Sequence, residues 1–316
     1  MQESPSTQPK PTKHFDFVVI GGGSAGYAAA RTAADLGKKV AIVDAAPELG
    51  GLCILRGCMP SKTLIYSAEA LHFAQCGEIF GFEAEGVEAD MAAMQRRKRK
   101  VIAEFAEYRQ GQLESDRFEL FRQRARFRDE TSIELDDGSV LEAKAFLVAT
   151  GSETTSPAVP GLNDTPYWTS DDILELNELP SSVITLGGGV VACELAQFLA
   201  RVGTKVTLIQ RSPHILKEFS EEASLCVEQA FRDEGIELFT DTQLEQVEDR
   251  DGKVRVRFGH GGEVVECEAS HLFNALGRKP ATRGLDLETA KVELLPSGHL
   301  KTDAFQQTTN PRVYAA

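Results

Sequence analysis

An α/β fold made of two separate units is what three features of this 316-residue chain predict. A strand–turn–helix–strand pattern occurs twice, each copy is followed by alternating stretches that read as sheet, and a proline-rich joint lies between the copies. No apolar run approaches the ~18 residues of a membrane span.

The first copy is FDFVVIGGGSAGYAAARTAADLGKKVAIVDA and the second is VITLGGGVVACELAQFLARVGTKVTLIQRS. In each, a run rich in Val, Ile and Leu meets a glycine cluster. An amphipathic stretch with small residues on one side follows, then a second apolar run. The clusters start at Gly21 and Gly187, too far apart for a solenoid repeat, so each copy is expected to head its own domain.

Between the copies, residues Ser61 to Leu113 read as a long helical region. Its basic run, Arg96 to Lys100, is expected to be a solvated mixed-charge face rather than a nucleic-acid or nuclear-localisation patch. The stretch ARFRDETSIELDDGSVLEAKAFLVATG alternates and carries an Asp-Asp-Gly turn, so it reads as hairpin and sheet. SPAVPGL marks a boundary near residue 155, and KVRVRFGHGGEVVECEASHLFNALG alternates again. LVATG and LFNALG resemble each other, as two crossings between domains would.

Forty-eight acidic against 34 basic residues give a net charge of −14, which repels nucleic acid and anionic membranes. The first 14 residues are rich in Pro, Ser, Gln and Thr, lack an apolar segment, and read as a disordered tail rather than an export signal. Six irregularly spaced cysteines do not make a disulfide scaffold, and a reducing cytoplasmic location is expected.

Gly21, Gly23 and Gly26 form G-x-G-x-x-G directly after a strand. The first allows the tight turn, the second lets backbone approach a pyrophosphate, and the third permits close helix packing. The following helix N-terminus offers free N–H groups and partial positive charge. Asp44 closes the second strand, where an acid accepts hydrogen bonds from a ribose. In the second copy the cluster is Gly187, Gly189, Ala192, and the second strand ends Ile209, Gln210, Arg211. The expected acid is absent. Arg211, helped by Lys217, would attract a 2′-phosphate and so favours NADP over NAD; a surface arginine serving NAD is the alternative. The fold expected is thus α/β with two Rossmann-like dinucleotide-binding domains, three-layered, with small antiparallel sheets.

Cys53 and Cys58 lie in GGLCILRGCMPSK. An unbroken helix would hold their Cα atoms about 8.6 Å apart, beyond the ~7 Å limit of a disulfide. If they bond, the segment between them must be an irregular turn, and Gly57 and Pro60 suit a turn that opens into a helix. Cys58 would then sit at a helix N-terminus, which favours thiolate. A zinc site would need further paired ligands, and the scattered histidines offer none, so no metal is expected. Cys76, Cys193, Cys226 and Cys267 lack such surroundings and read as inert.

These motifs resemble the flavin-dependent pyridine nucleotide-disulfide oxidoreductases, which include dihydrolipoamide dehydrogenase, glutathione reductase and mercuric reductase. The likeness covers roughly residues 14 to 316 and rests on Gly50 to Lys62, both glycine motifs, and the crossings ATGS and ALGRKP. It implies that Gly21, Gly23, Gly26 and Asp44 hold FAD, with Lys62, Thr150, Gly151 and Ser152 near it. Gly187, Gly189 and Ala192 would hold the pyrophosphate of the nicotinamide nucleotide, with Arg211 and Lys217 as the cations read above, Gly277 as a further cofactor-binding residue, and Glu194 beside the flavin. By the same resemblance, Cys58 faces the flavin, Cys53 exchanges with substrate, and Lys62 pairs with Glu194. Residues 15–154 and 276–316 would form the FAD domain, with residues 155–275 as the inserted NAD(P) domain.

The sequence departs from the family in places. Val190 stands where glutathione reductases carry a gating tyrosine. Leu55 replaces the asparagine usual in the cysteine turn, and Gln123 replaces the glycine of G-x-A-x-F. The chain ends at TTNPRVYAA, before the family's Gly-Asp and before the C-terminal domain that dimerises the protein and supplies a His-Glu base. No histidine here matches that base, so a fragment of a longer reductase is expected. The activity implied is dithiol–disulfide oxidoreduction on a small-molecule or lipoyl substrate, most like dihydrolipoamide dehydrogenase. Mercuric and glutathione reductases are the close alternatives. A non-catalytic redox switch or an inactive fragment is the alternative of another class.

Overall fold

The computed structural model describes residues 12–316. The expected tail falls largely outside the described residues, but Lys13 and His14 already belong to a strand, paired with Leu141 and Glu142. In chain order the elements begin β1 (Lys13–Ile20), α1 (Ser24–Asp35), β2 (Val40–Val43), α2 (Gly51–Leu55), α3 (Cys58–Gln75), α4 (Met91–Leu113), β3 (Glu119–Phe121), β4 (Ala125–Phe127), β5 (Ser132–Leu135), β6 (Val140–Val148) and β7 (Ser152–Thr154). They continue α5 (Ser170–Leu174), β8 (Ser182–Leu186), α6 (Val190–Arg201), β9 (Lys205–Ile209), α7 (Glu221–Asp233), β10 (Glu237–Phe239), β11 (Gln243–Arg250), β12 (Lys253–His260), β13 (Glu263–Ala269), β14 (His271–Asn274), β15 (Arg278–Pro280) and β16 (Val313–Ala315).

Two compact units result. The first comprises the described residues up to Leu55, Glu104–Glu153 and Lys279–Ala316; the second comprises Arg56–Ala103 and Thr154–Arg278. Residues 56–103, grouped by the sequence with the first glycine motif, belong to the second unit by their packing. The cause is α3, which buries Leu64, Ala68 and Leu71 in one core with Phe198 and Leu199 of α6.

In the first unit a seven-stranded sheet runs β3-β2-β1-β6-β5-β4, with β16 beside β6. Strands β3, β2, β1, β6 and β16 are parallel, while β4 and β5 are antiparallel to their neighbours. The centre of the parallel part is apolar and buried, in VAIV of β2, Val18–Ile20 of β1 and Phe146–Val148 of β6, as strands covered on both faces must be, while the charged residues of β1 and β6 lie at Lys13–Asp16 and Glu142–Lys144. Ala30 of α1 is fully buried on one face of that sheet with Val19 and Ile42. The Asp136-Asp137-Gly138 turn joins β5 to β6, with Gly138 at φ +81°.

In the second unit a parallel sheet runs β10-β9-β8-β14, and β11, β12 and β13 form an antiparallel meander. Helix α6 lays Leu195, Phe198 and Leu199 into the core, the i, i+3, i+4 spacing of one helical face. At about 1.5–3 kcal/mol per fully buried large apolar side chain, these three residues stabilise the helix on its sheet far more than intrinsic propensity could.

The helical region expected over 61–113 is two helices. Gly81 (φ +81°) closes a 3-10 turn over Gly77–Phe80, and Gly86 (φ +65°) continues the break until α4 begins. The basic run is also not a uniformly solvated face. Met91, Gln95 and Lys98 are buried on one side of α4 at i, i+4, i+7. Lys98 Nζ donates to the Leu174 carbonyl (2.5 Å) and pairs with Glu175, and Gln95 Nε2 donates to the carbonyls of Leu174 (3.0 Å) and Leu176 (2.8 Å). These bonds satisfy carbonyls at the C-terminal end of α5 that its own helix cannot. No helix among the described residues is long and apolar enough to cross a membrane.

Candidate functional site

The first unit folds its glycine motif as a tight turn from β1 into α1. Gly21 has φ +105°, and a Cβ there would lie 2.3 Å from the Ala149 carbonyl oxygen. A Cβ on Gly26 would lie 1.9 Å from the Gly21 carbonyl oxygen, so the third glycine seats the helix on the turn. Gly23, the N-cap of α1, has only Gly51 Cα near its missing side chain, at 3.7 Å, and no side chain caps the helix. The first N–H groups of α1 therefore face an open approach, the geometry that accepts a pyrophosphate. Gly51 (φ +71°) is itself required: a Cβ there would strike Gly23 Cα at 2.4 Å. Thus α2, which carries half-buried Cys53, packs against the glycine turn.

Asp44 sits at the end of β2. Its Oδ2 accepts the Gly22 N–H (2.7 Å) and its Oδ1 accepts the Ala46 N–H (2.8 Å). This fixes the carboxylate while leaving lone pairs for a ribose hydroxyl. Arg122 steadies the segment after Asp44 by donating to the Ala46 and Pro47 carbonyls. No motif marks Arg122, because it acts through backbone oxygens. Thr150 and Gly151 lead into β7, where Ser152 lies; Gly151 has φ +74° and its carbonyl accepts the Ala281 N–H at 2.9 Å. Gln123, at the departure from the family pattern, accepts the Asp137 N–H at 3.1 Å.

The second unit builds the same turn independently. Gly187 has φ +110°, with a would-be Cβ 2.5 Å from the Ala275 carbonyl oxygen. LVATG and LFNALG thus cover their glycine turns in the same way. Gly189 caps α6 with nothing within 4 Å of its missing side chain, and Ala192 is buried at the third position. Gln210 occupies the place of Asp44. A Cβ on Gly188 would meet Gln210 Cγ at 2.9 Å, as one on Gly22 would meet Asp44 Oδ2 at 2.9 Å. Arg211 is exposed and, among the described residues, has no hydrogen-bond or ion-pair partner, while Lys217 lies 3.6 Å from Glu218. Gly277 (φ +127°) accepts the Thr155 N–H at 3.0 Å. Val190, on the first turn of α6, is exposed.

Cys58 is the first residue of α3, behind the non-helical N-cap Gly57 (φ −134°, ψ −114°). The helix break between the two cysteines is therefore present at Arg56 and Gly57. Lys62 follows Cys58 at i+4, on the same face of α3. Its Nζ lies 2.6 Å from both carboxylate oxygens of Glu194 on α6, the pairing expected from the sequence. Cys53 and Cys58 fall in different units. Cys193, under the second glycine turn, directs its thiol to the Gly188 carbonyl at 3.6 Å; burial pushes it up to about 12. Burial likewise pushes Cys267 up to about 11.

The family described as pyridine nucleotide-disulphide oxidoreductase matches residues 15–316. Among curated relatives, the mercuric reductase of Bacillus cereus is 36% identical over 304 residues, covering 96% of this chain and 48% of that protein. The dihydrolipoyl dehydrogenase of Bacillus subtilis is 33% identical over 304 residues, covering 95% and 66%. The chain therefore spans about half to two-thirds of the length of these relatives. Among solved structures, the Cu(II) complex of the HOCl-induced flavoprotein disulfide reductase RclA from Escherichia coli superposes with a TM-score of 0.82 at 26% identity, over 96% of this chain and 65% of that one. A doubled glycine turn, a family match over nearly the whole described chain and a shared fold agree: the chain belongs to the pyridine nucleotide-disulphide oxidoreductase family.

Proposed function

We propose that the first unit binds FAD, the second binds a nicotinamide dinucleotide with preference for NADP, and the Cys53–Cys58 pair passes electrons to a disulfide or dithiol-reactive substrate. The observation that carries this reading is the same open helix N-terminus built twice, behind Gly23 and behind Gly189. In the second unit it is accompanied by Lys62 locked onto Glu194 one turn past Cys58. Bound FAD supplies the two-electron transfer between reduced nicotinamide and the cysteine pair.

The chain's own residues account for the rest. Gly23 and Gly189 leave room for a pyrophosphate, and Asp44 is held ready for a ribose. Cys58, at the positive end of an 18-residue helix, is favoured as thiolate. With the pair reduced, Cys53 thiolate attacks one sulfur of a substrate disulfide and expels the first thiol. Cys58 thiolate then attacks the Cys53 sulfur, expels the second thiol and restores the Cys53–Cys58 bond. One dithiol is oxidised and one disulfide reduced, so electrons balance.

The substrate reading most like the sequence resemblance is a lipoyl or other small dithiol. A mercuric-ion reading draws support from Gln210-Arg211-Ser212 and from mercuric reductase relatives at 34–37% identity. Full-length relatives of this family act as homodimers by the same resemblance, and we extend that to the protein carrying this chain. The test is a flavin spectrum of the purified chain with added FAD, followed by anaerobic NADPH and thiol counting. Gain of two titratable thiols, lost in Cys53→Ser, is expected; a chain that FAD neither colours nor stabilises overturns the reading.

A further inference from the structure

We propose that Glu228 and His214 form a strap that positions the loop carrying Arg211 and Lys217, and so set how strongly the protein distinguishes nucleotides with a 2′-phosphate from those without. This rests on the NADP reading above. The loop runs from the end of β9 to Ser220, the N-cap of α7. Glu228 reaches it from the second turn of α7. Its Oε1 accepts the Ile215 N–H at 3.1 Å and lies 3.3 Å from His214 Nδ1, while its Oε2 lies 3.5 Å from Arg232. His214 Nε2 in turn lies 3.4 Å from Glu221.

The Glu228 side chain is only 4% exposed. Burying a carboxylate costs several kcal/mol unless it is paired and hydrogen-bonded, and an apolar residue would fill the same space at no such cost. Its bonds go chiefly to the loop, so the loop is what the buried charge organises. The next residue completes the link. Leu216 takes φ +51° and donates its N–H to the Gly188 carbonyl at 2.7 Å, and a Cβ on Gly188 would meet Ile215 Cγ2 at 2.9 Å. The loop is thus tied on one side to α7 and on the other to the glycine turn that faces the pyrophosphate. Arg211 and Lys217 stand at the two ends of the tied segment. Glu228 and His214 are positioning residues: neither is placed on the nucleotide.

The strap is tested with 2′,5′-ADP and 5′-AMP, which differ only at the 2′-phosphate and need no flavin, by calorimetric affinity on this chain. Wild type prefers 2′,5′-ADP. Arg211→Ala lowers that preference about tenfold, and Glu228→Ala lowers it about fivefold with 5′-AMP affinity changed less than about twofold. Glu228→Gln, which keeps an acceptor for the Ile215 N–H, restores most of the preference. His214→Ala, at a partly exposed side chain that folding tolerates, lowers it about threefold and decides the question if Glu228→Ala does not fold. No preference in wild type overturns the NADP reading. A loss in Arg211→Ala with none in Glu228→Ala or His214→Ala overturns the strap alone, as does an equal loss of both ligands.

Discussion

Lys62 Nζ sits 2.6 Å from each carboxylate oxygen of Glu194, joining α3 to α6 within one unit. The lysine side chain is 57% exposed, so solvent screens the pair and its contribution to stability is about 0–1 kcal/mol. A pair this weak energetically and this well defined geometrically is expected to matter for chemistry. Lys62→Ala and Glu194→Ala should each unfold within about 1 kcal/mol of wild type in urea. Each should slow nicotinamide-driven thiol formation in the FAD-loaded chain about tenfold or more. Wild-type rates in both variants would sink the functional assignment of the pair.

The two glycine turns differ at their third position, which gives a second test. A methyl group on Gly26 would fall 1.9 Å from the Gly21 carbonyl oxygen, a backbone atom that cannot step aside. Gly26→Ala should therefore destabilise the first unit by more than about 3 kcal/mol. Ala192, by contrast, already accommodates its methyl group while buried. Ala192→Gly should cost only about 1–2 kcal/mol, through helix propensity and lost burial. Urea unfolding followed by circular dichroism measures both, and equal costs would contradict the packing asymmetry.

Asp44, both glycine turns and the Cys58 helix start were legible because each depends on a local pattern: a residue type at a fixed offset from a strand or turn. The Lys62–Glu194 pair was legible only through the family resemblance, since nothing local links residues on separate helices. Lys98 was misread because five consecutive cations hide the helical period; only Met91 and Gln95, at i−7 and i−3, reveal that Lys98 faces inward. The break is written in Gly77, Gly81 and Gly86, each a poor helix former, and a single helix over 61–113 follows only when the helical composition of the flanking stretches is allowed to outweigh them. Arg122 and Glu228 carry no motif at all, because both act by holding backbone groups of segments remote in sequence.

Thiol reactivity should separate the cysteines. Burial pushes Cys193 up to about 12 and Cys267 up to about 11, so at pH 8 their thiolate fractions are about one in ten thousand and one in a thousand. Brief iodoacetamide treatment of the native, reduced chain at pH 8, read by peptide mass spectrometry, should label exposed Cys58 and Cys226 and spare Cys193 and Cys267. Rapid alkylation of Cys193 without unfolding would contradict its packing beneath the second glycine turn.

Lys98 gives a pH test with a definite sign. Burial is the main influence and holds its ammonium below the ordinary lysine value of 10.5, with Glu175 acting in the opposite direction. In the window between the folded value and 10.5 the unfolded chain binds more protons than the folded one, so stability contributed by this residue rises with pH there. Lys98→Met removes the titration. Gln95 still donates to the Leu174 carbonyl, and Glu175 is exposed enough to hydrate, so the substitution should change stability at pH 7 by less than about 1.5 kcal/mol. Wild type should then gain on Lys98→Met as pH is raised from 8 towards 10. Urea unfolding of both proteins across that range measures the difference, and a gap that stays constant or moves in favour of the variant would show that Lys98 is not desolvated where it caps α5.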